Sequence, residues 1–271
     1  MLPIVDNRLT HEIKLPESKQ LIKIKSYKSA QEKVLLQAIL ERKDKKLWFV
    51  NILQILKDNL VDGNIVFDST ISTVDFLYLC IKLRSISKGE MFNYSFQCDN
   101  MIKNEDGTET QCDHIFKESD TIDSLLVVKN SDVTKTLCEV NSKLSLELKV
   151  PSIDYYNYLA DIDDNLEAEI EFMDDEAYLQ KKNLEMFCNQ VCFAVSKVII
   201  KDDDGKPHVY TNFTPDEFKE NILMNLSFTE LGKIFEQKKK LISMTIRIRK
   251  VCPKCQAVFE RDEKNFFEYV V

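Results

Sequence analysis

The segment QCDNMIKNEDGTETQCDHIF, residues 97–116, has a counterpart near the end of the chain in VCPKCQAVF, residues 251–259. Each closes on the same pattern of cysteine, two residues, a β-branched residue and phenylalanine: Cys112-Asp113-His114-Ile115-Phe116 and Cys255-Gln256-Ala257-Val258-Phe259. Each also holds an earlier cysteine, Cys98 or Cys252, at the end of a stretch that alternates apolar and polar residues as a strand does, MFNYSFQ and MTIRIRK. A hairpin tip with two cysteines offers two thiolates, and two such knuckles face to face supply the four-sulfur tetrahedron that zinc prefers. The spacing predicts a structural zinc on Cys98, Cys112, Cys252 and Cys255, clasping two segments far apart in sequence.

Competing readings stay open at this level. Cys252-x-x-Cys255 has ideal knuckle spacing, but thirteen residues separate Cys98 from Cys112. The first knuckle closes only if its strands pair through Phe96 and Ile115. His114 is an alternative ligand to Cys112, although the echo with Cys255 favours the sulfur. The four thiols could also be unmetallated, or Cys252 and Cys255 could form a redox pair. Thioredoxin-like pairs place the first cysteine at a helix N-terminus, whereas this one lies between two strand-like segments. A catalytic metal is not expected, because four protein sulfurs leave no position open for water or substrate. Cys80, Cys188 and Cys192 lie on apolar helical faces and read as core.

The rest of the composition narrows the function. Eight cysteines in 271 residues, without the apolar core of a signal peptide at the N-terminus, point to a reducing compartment. No stretch approaches the length of a membrane span. The net charge of −8 argues against a phosphate-backbone partner, and the run DIDDNLEAEIEFMDDE at 161–176 reads as a solvated face. With five glycines, the chain has no phosphate-cradling loop and no nucleophile elbow, and its three histidines form no HExxH. No enzyme activity is expected.

Around the knuckles the pattern predicts an α+β protein. HEIKLPE and KQLIKIKSY read as an N-terminal hairpin turning at Pro16–Lys19. Helices follow: one opened by a capping box at Ser29 and Glu32, one from about Lys45 to Leu60 with Trp48, Ile52, Ile55 and Leu56 inward, and one over TVDFLYLCIKLRSIS. A strand near 143–150, a long helix from about Asp175 to Val195, and a hairpin around Asp204-Gly205 come next. Two more helices start at the capping boxes Thr214–Glu217 and Ser227–Glu230, with Phe213/Phe218 and Leu226/Leu231 as hydrophobic staples. The expected organisation is an α+β domain over 1–125 with the first knuckle and a helix-rich region over 126–240 inserted between the knuckles. A C-terminal strand and second knuckle over 241–271 then pack back on the N-terminal domain.

The order of these motifs resembles the T4-type bacteriophage baseplate hub protein family. KLPESKQLIKIKSYKSAQEKVLLQAI is similar to the family's opening "KLPS-x-GK" turn, basic-aromatic strand and "EEK-x-LL" helix. TVDFLYLCIKLRSISKGE looks like its acidic-aromatic helix ending in "LR-x-x-S-x-G", and VCPKC…NFF looks like its second cysteine knuckle and closing "FF". The chain departs from the pattern in three places. Lys19 and Gln256 stand where the family carries glycine, and the first knuckle holds an insertion. The resemblance implies a non-enzymatic structural or assembly component, chaperone-like in the second case, of a contractile-tail baseplate hub. It would contact other phage tail proteins, first in the host cytoplasm during assembly and then in the virion baseplate. Nucleic acid, membrane and small-molecule substrates are not expected. A zinc-ribbon nucleic-acid or transcription factor is the alternative, because Arg247, Arg249, Lys250 and Lys254 make the last hairpin locally basic.

Overall fold

The computed structural model describes residues 7–40, 45–61, 70–103, 107–156 and 185–263. The acidic run, most of the VDGN turn, the start of the helix expected from Asp175 and the closing FF lie outside the described residues, as does the side chain of Trp48. The chain is an α+β protein.

Strands β1 (Thr10–Lys14) and β2 (Leu21–Lys25) form the expected antiparallel hairpin, with Ile13 opposite Ile22. Alternate side chains point inward, so Ile13, Ile22 and Ile24 are buried together with Leu15. In the connecting turn Lys19 has φ 59°, a left-handed conformation that favours glycine, and it is the position where the family pattern has one. Asp75 holds this turn. Its carboxylate oxygens accept the Glu17 N–H at 2.7 Å and the Ser18 N–H at 3.0 Å, and the residue is 2% exposed. Asp75 lies in the first turn of α3 (Thr73–Lys88), where a negative charge also meets the positive end of the helix dipole. The N-cap Ser72 accepts the Asp75 N–H at 3.1 Å. Burial, together with the nearby Asp75 charge, raises the Glu17 carboxyl above its ordinary range, against a lowering hydrogen bond with Ser72.

Helices α1 (Ser29–Leu40) and α2 (Lys45–Asn59) pack beside α3. The start of α1 differs from expectation. Ser29 is already helical, the Gln31 side chain accepts the Lys28 N–H at 2.8 Å, and Glu32 pairs with Lys88 at 3.0 Å. Leu35 is buried, whereas Val34 is 42% exposed. Phe49, Ile52, Ile55 and Leu56 of α2 meet Phe76, Leu79, Cys80 and Ile81 of α3, with Phe49 edge-on to Phe76.

After α3 the chain forms β3 (Met91–Gln97), which pairs with β6 (Ile115–Thr121), and passes through the short α4 (Ile122–Leu125) into β7 (Leu126–Lys129). The long strand β12 (Ser243–Val251) pairs with β7 through Ser243–Ile246, and with β13 (Val258–Glu263) through Ile246–Val251. One end of β12 is thus built into the body and the other end carries Cys252. The region between the knuckles, expected to be helix-rich, also builds a four-stranded antiparallel sheet. Its order is β11 (Pro207–Tyr210), β10 (Val195–Lys201), β9 (Leu144–Lys149), β8 (Lys135–Glu139). Residues 185–192 form helix α5, and α6 (Pro215–Asn221) and α7 (Phe228–Lys238) follow. Both expected capping boxes form, at Thr214–Glu217 and Ser227–Glu230, and the Phe213 and Phe218 rings lie 5.8 Å apart. Cys80, Cys188 and Cys192 are buried in one continuous core shared by the N-terminal hairpin, the helices and the four-stranded sheet.

Two substitutions test this account of the N-terminal turn. Asp75→Ala leaves two backbone N–H groups without their acceptor and is expected to cost ~2–5 kcal/mol in urea unfolding. Lys19→Gly removes left-handed strain, and is expected to leave stability unchanged or raise it by up to ~1 kcal/mol.

Candidate metal centre

The β3–β6 ribbon carries the first cysteine pair. Phe96 lies opposite Phe116, and Gln97 opposite Ile115, one step away from the expected Phe96–Ile115 pairing. The insertion does not splay the ribbon, because it folds on itself. Its strands β4 (Met101–Lys103) and β5 (Glu109–Gln111) pair antiparallel as a separate small hairpin. Two backbone bonds close the neck, Cys98 N–H to the His114 carbonyl at 2.9 Å and Cys112 N–H to the Asn100 carbonyl at 2.8 Å. Thirteen residues therefore leave and return at one place, with the two cysteines side by side.

The second pair sits in a turn between β12 and β13. The Cys252 N–H donates to the Ala257 carbonyl at 2.9 Å, and the Gln256 N–H donates to the Cys252 carbonyl at 2.8 Å. Gln256 has φ 59°, so it too adopts the left-handed conformation at the other position where the family has glycine. The pair is at no helix N-terminus, which is the context a thioredoxin-like redox centre needs.

The two ribbons stack through three rings. Phe96 packs at 4.6 Å from Phe116 and 4.0 Å from Phe259, both pairs nearly parallel. The shared cysteine-x-x-β-branched-phenylalanine pattern follows from this packing. In each knuckle the phenylalanine turns inward, while Ile115 and Val258 face solvent. Lys250 lies two residues before Cys252, as Phe96 does before Cys98, and bridges the ribbons to Asp120 at 2.9 Å and Glu118 at 3.6 Å. Tyr94 donates to the same Asp120 carboxylate.

This stacking brings all four predicted cysteines together. Their sulfur atoms lie within 4.8 Å of one another, and they are the one group among the described residues that could hold a metal ion. The Sγ–Sγ distance is 3.7 Å between Cys98 and Cys255 and 3.8 Å between Cys112 and Cys252. Sulfurs at the corners of a tetrahedron ~2.3 Å from a central zinc are ~3.8 Å apart, whereas a disulfide brings them to ~2.05 Å. The spacing suits a tetrathiolate metal. Cys98, Cys112 and Cys252 are fully buried, Cys255 is partly exposed, and Ile102 of the insertion packs against the group. His114 stays outside it, with its ring edge-on to Phe116 at 4.8 Å.

The polar surroundings also suit thiolates. Backbone N–H groups point at three of the sulfurs: Asn100 at Cys98, His114 at Cys112, and Lys254 and Cys255 at Cys252. The Cys98 thiol, lowered by the Asn100 N–H, is nonetheless pushed up to about 12 by burial and the three other thiols. The Cys112 thiol is raised as well, with burial and the Cys252 and Cys255 thiols outweighing the His114 N–H. Burial works to raise Cys252, but the Cys255 and Lys254 N–H groups and neighbouring thiols hold it at about 7. Crowded thiols give up one proton readily and resist losing the rest until a cation is present.

The basic residues of the last hairpin are charge-balanced. Arg247 makes a two-pronged contact with Asp262 at 2.7 and 3.0 Å, Arg249 lies 3.8 Å from Glu260, and Lys254 pairs with Asp113 across the two knuckles. The four cysteines singled out in the sequence are the ones that lie together, but the sequence showed no sign of the N–H groups aimed at them, the covering Ile102 or the Lys250–Asp120 bridge. The repeated phenylalanines were the visible sign of the ring stack. The bridge had no local signal, because its partners are over a hundred residues apart.

Compared with known proteins, residues 8–268 match the family model described as T4 bacteriophage base plate protein. No curated protein and no solved structure matches the chain.

Cobalt(II) titration tests the centre. The wild-type protein is expected to bind one ion with thiolate-to-metal absorption, and binding weakens as pH falls because protons compete for Cys98 and Cys112. Serine at position 98, 112, 252 or 255 is expected to remove or sharply weaken that signal, whereas His114→Ala leaves it unchanged.

Proposed function

The chain belongs to the T4 bacteriophage base plate protein family, and on that premise we propose that it is a non-enzymatic component of the hub of a contractile-tail baseplate. It acts through protein–protein contacts with other tail proteins, either as a built-in part or as a chaperone-like assembly factor. Cys98, Cys112, Cys252 and Cys255 hold one structural zinc. The protein meets its partners in the host cytoplasm while the tail is assembled and takes no nucleic acid, membrane or small molecule.

The observation that carries this reading is the extent of the family match. Residues 8–268 include the N-terminal turn, the core helices, the four-stranded sheet and both knuckles. The site chemistry supports it: four sulfurs around one ion fill a tetrahedron, so the metal has a holding role and no vacant position for a reaction. No described helix is long and apolar enough to cross a membrane. The paired basic side chains of the last hairpin favour this reading over the nucleic-acid alternative, which calls for a free basic stripe.

Deleting the gene from the phage tests the proposal. The expected result is loss of complete baseplates and of infectious tails, restored by the protein supplied in trans. Fully assembled, infectious tails without it would overturn the proposal.

A further inference from the structure

The cysteines and Phe116 form a small cluster of their own, separate from the main core. Partly buried Phe96 touches both clusters, and Ile102 packs only against the small one. The main core continues along β12 as far as Ile246 and Ile248, which are buried, and includes Phe259. Beyond that point Arg249 and Val251 are exposed, and Val251 faces the equally exposed Val258 across the last pair of the ribbon. On the other side, β3 is rooted by Phe92 and the neighbouring Ile122, and the Lys250–Asp120 bridge with Tyr94 ties the ribbons together below the tips; beyond it the far end of β3 meets the rings and the sulfurs.

We propose that the metal acts as a local latch: its loss opens the two ribbon tips, among the described residues 97–103 with 107–115 and 251–258, while the body of the protein stays folded. This deepens the zinc reading above and rests on it. Without a cation, four mutually crowded thiols take the place of a tip core, and an isolated two-stranded ribbon is marginal in water. The Lys254–Asp113 pair is solvent-exposed and adds little. The body needs no metal: Ser243–Ile246 stay paired with β7, and the four-stranded sheet and the helices share the main core. The latch is reciprocal, because each Sγ–Sγ approach of 3.7–3.8 Å joins one tip to the other. Its closure also joins segments distant in sequence, since Cys98 and Cys112 find their partners 157 and 140 residues later. Metal loading then decides whether the β4–β5 hairpin, seated on the first knuckle, is held in place against the second.

Hydrogen exchange on the full-length protein, with zinc content measured on the same sample, tests this. With zinc bound, chelation under reducing conditions is expected to speed exchange about tenfold or more in 97–103, 107–115 and 251–258. Exchange in Thr73–Lys88, Leu144–Lys149 and Val195–Lys201 stays unchanged. Cys98→Ser alone is expected to expose 251–258, the opposite tip. If zinc is present but its removal leaves the tips protected, or speeds exchange throughout, the latch is wrong and the zinc site stands. If added zinc does not bind at all, the metal reading fails and the latch fails with it.

Discussion

Four sulfur atoms within 4.8 Å of one another, three of them sealed from solvent, cannot all carry charge unless a cation lies among them. That constraint orders the surrounding structure. Backbone N–H groups at Asn100, His114, Lys254 and Cys255 point at sulfur, the rings of Phe96, Phe116 and Phe259 stack behind it, and Lys250 ties the ribbons together through Asp120. The four cysteines come from two ribbons far apart in sequence, so a metal held by them would link the ribbon that follows α3 to the one formed by β12 and β13.

The insertion in the first knuckle shows how spacing along a chain can mislead. Thirteen residues between Cys98 and Cys112 look incompatible with a knuckle, yet the β4–β5 hairpin absorbs them and its neck restores the separation of adjacent strands. The two missing glycines are a related case. Lys19 and Gln256 both adopt φ 59°, the left-handed conformation that favours glycine, and they stand at the two positions where the resembled pattern carries glycine. The remaining contacts tolerate that strain, at the Asp75-bound turn in one case and in the second knuckle in the other.

Features set by local chemistry were legible in the sequence. The hairpin of β1 and β2, the caps at Thr214 and Ser227 and the helix over Thr73–Lys88 all follow from residues a few positions apart, whereas the grouping of the cysteines showed through a pattern repeated at two distant places. The start of α1 was not, because the helix begins one residue early: the Lys28 carbonyl accepts the Gln31 and Glu32 N–H groups, and the Lys28 N–H donates to the Gln31 side chain. Strand β8 also escaped notice. Its Leu137 faces solvent and only Cys138 is buried, so its alternation is weak and its pairing with β9 is what makes it a strand. Long-range features such as β12 spanning two partners, or Asp75 reaching back to Glu17 and Ser18, leave no trace in a short window.

Membership of the baseplate family and four sulfurs gathered at one point are what the structural-zinc proposal rests on. The direct test of that account is X-ray absorption at the zinc edge of the purified, unreconstituted protein. The account predicts one zinc surrounded by four sulfurs at ~2.3 Å, with no nitrogen or oxygen in the shell. A shell containing nitrogen or oxygen, or protein free of zinc, would contradict it.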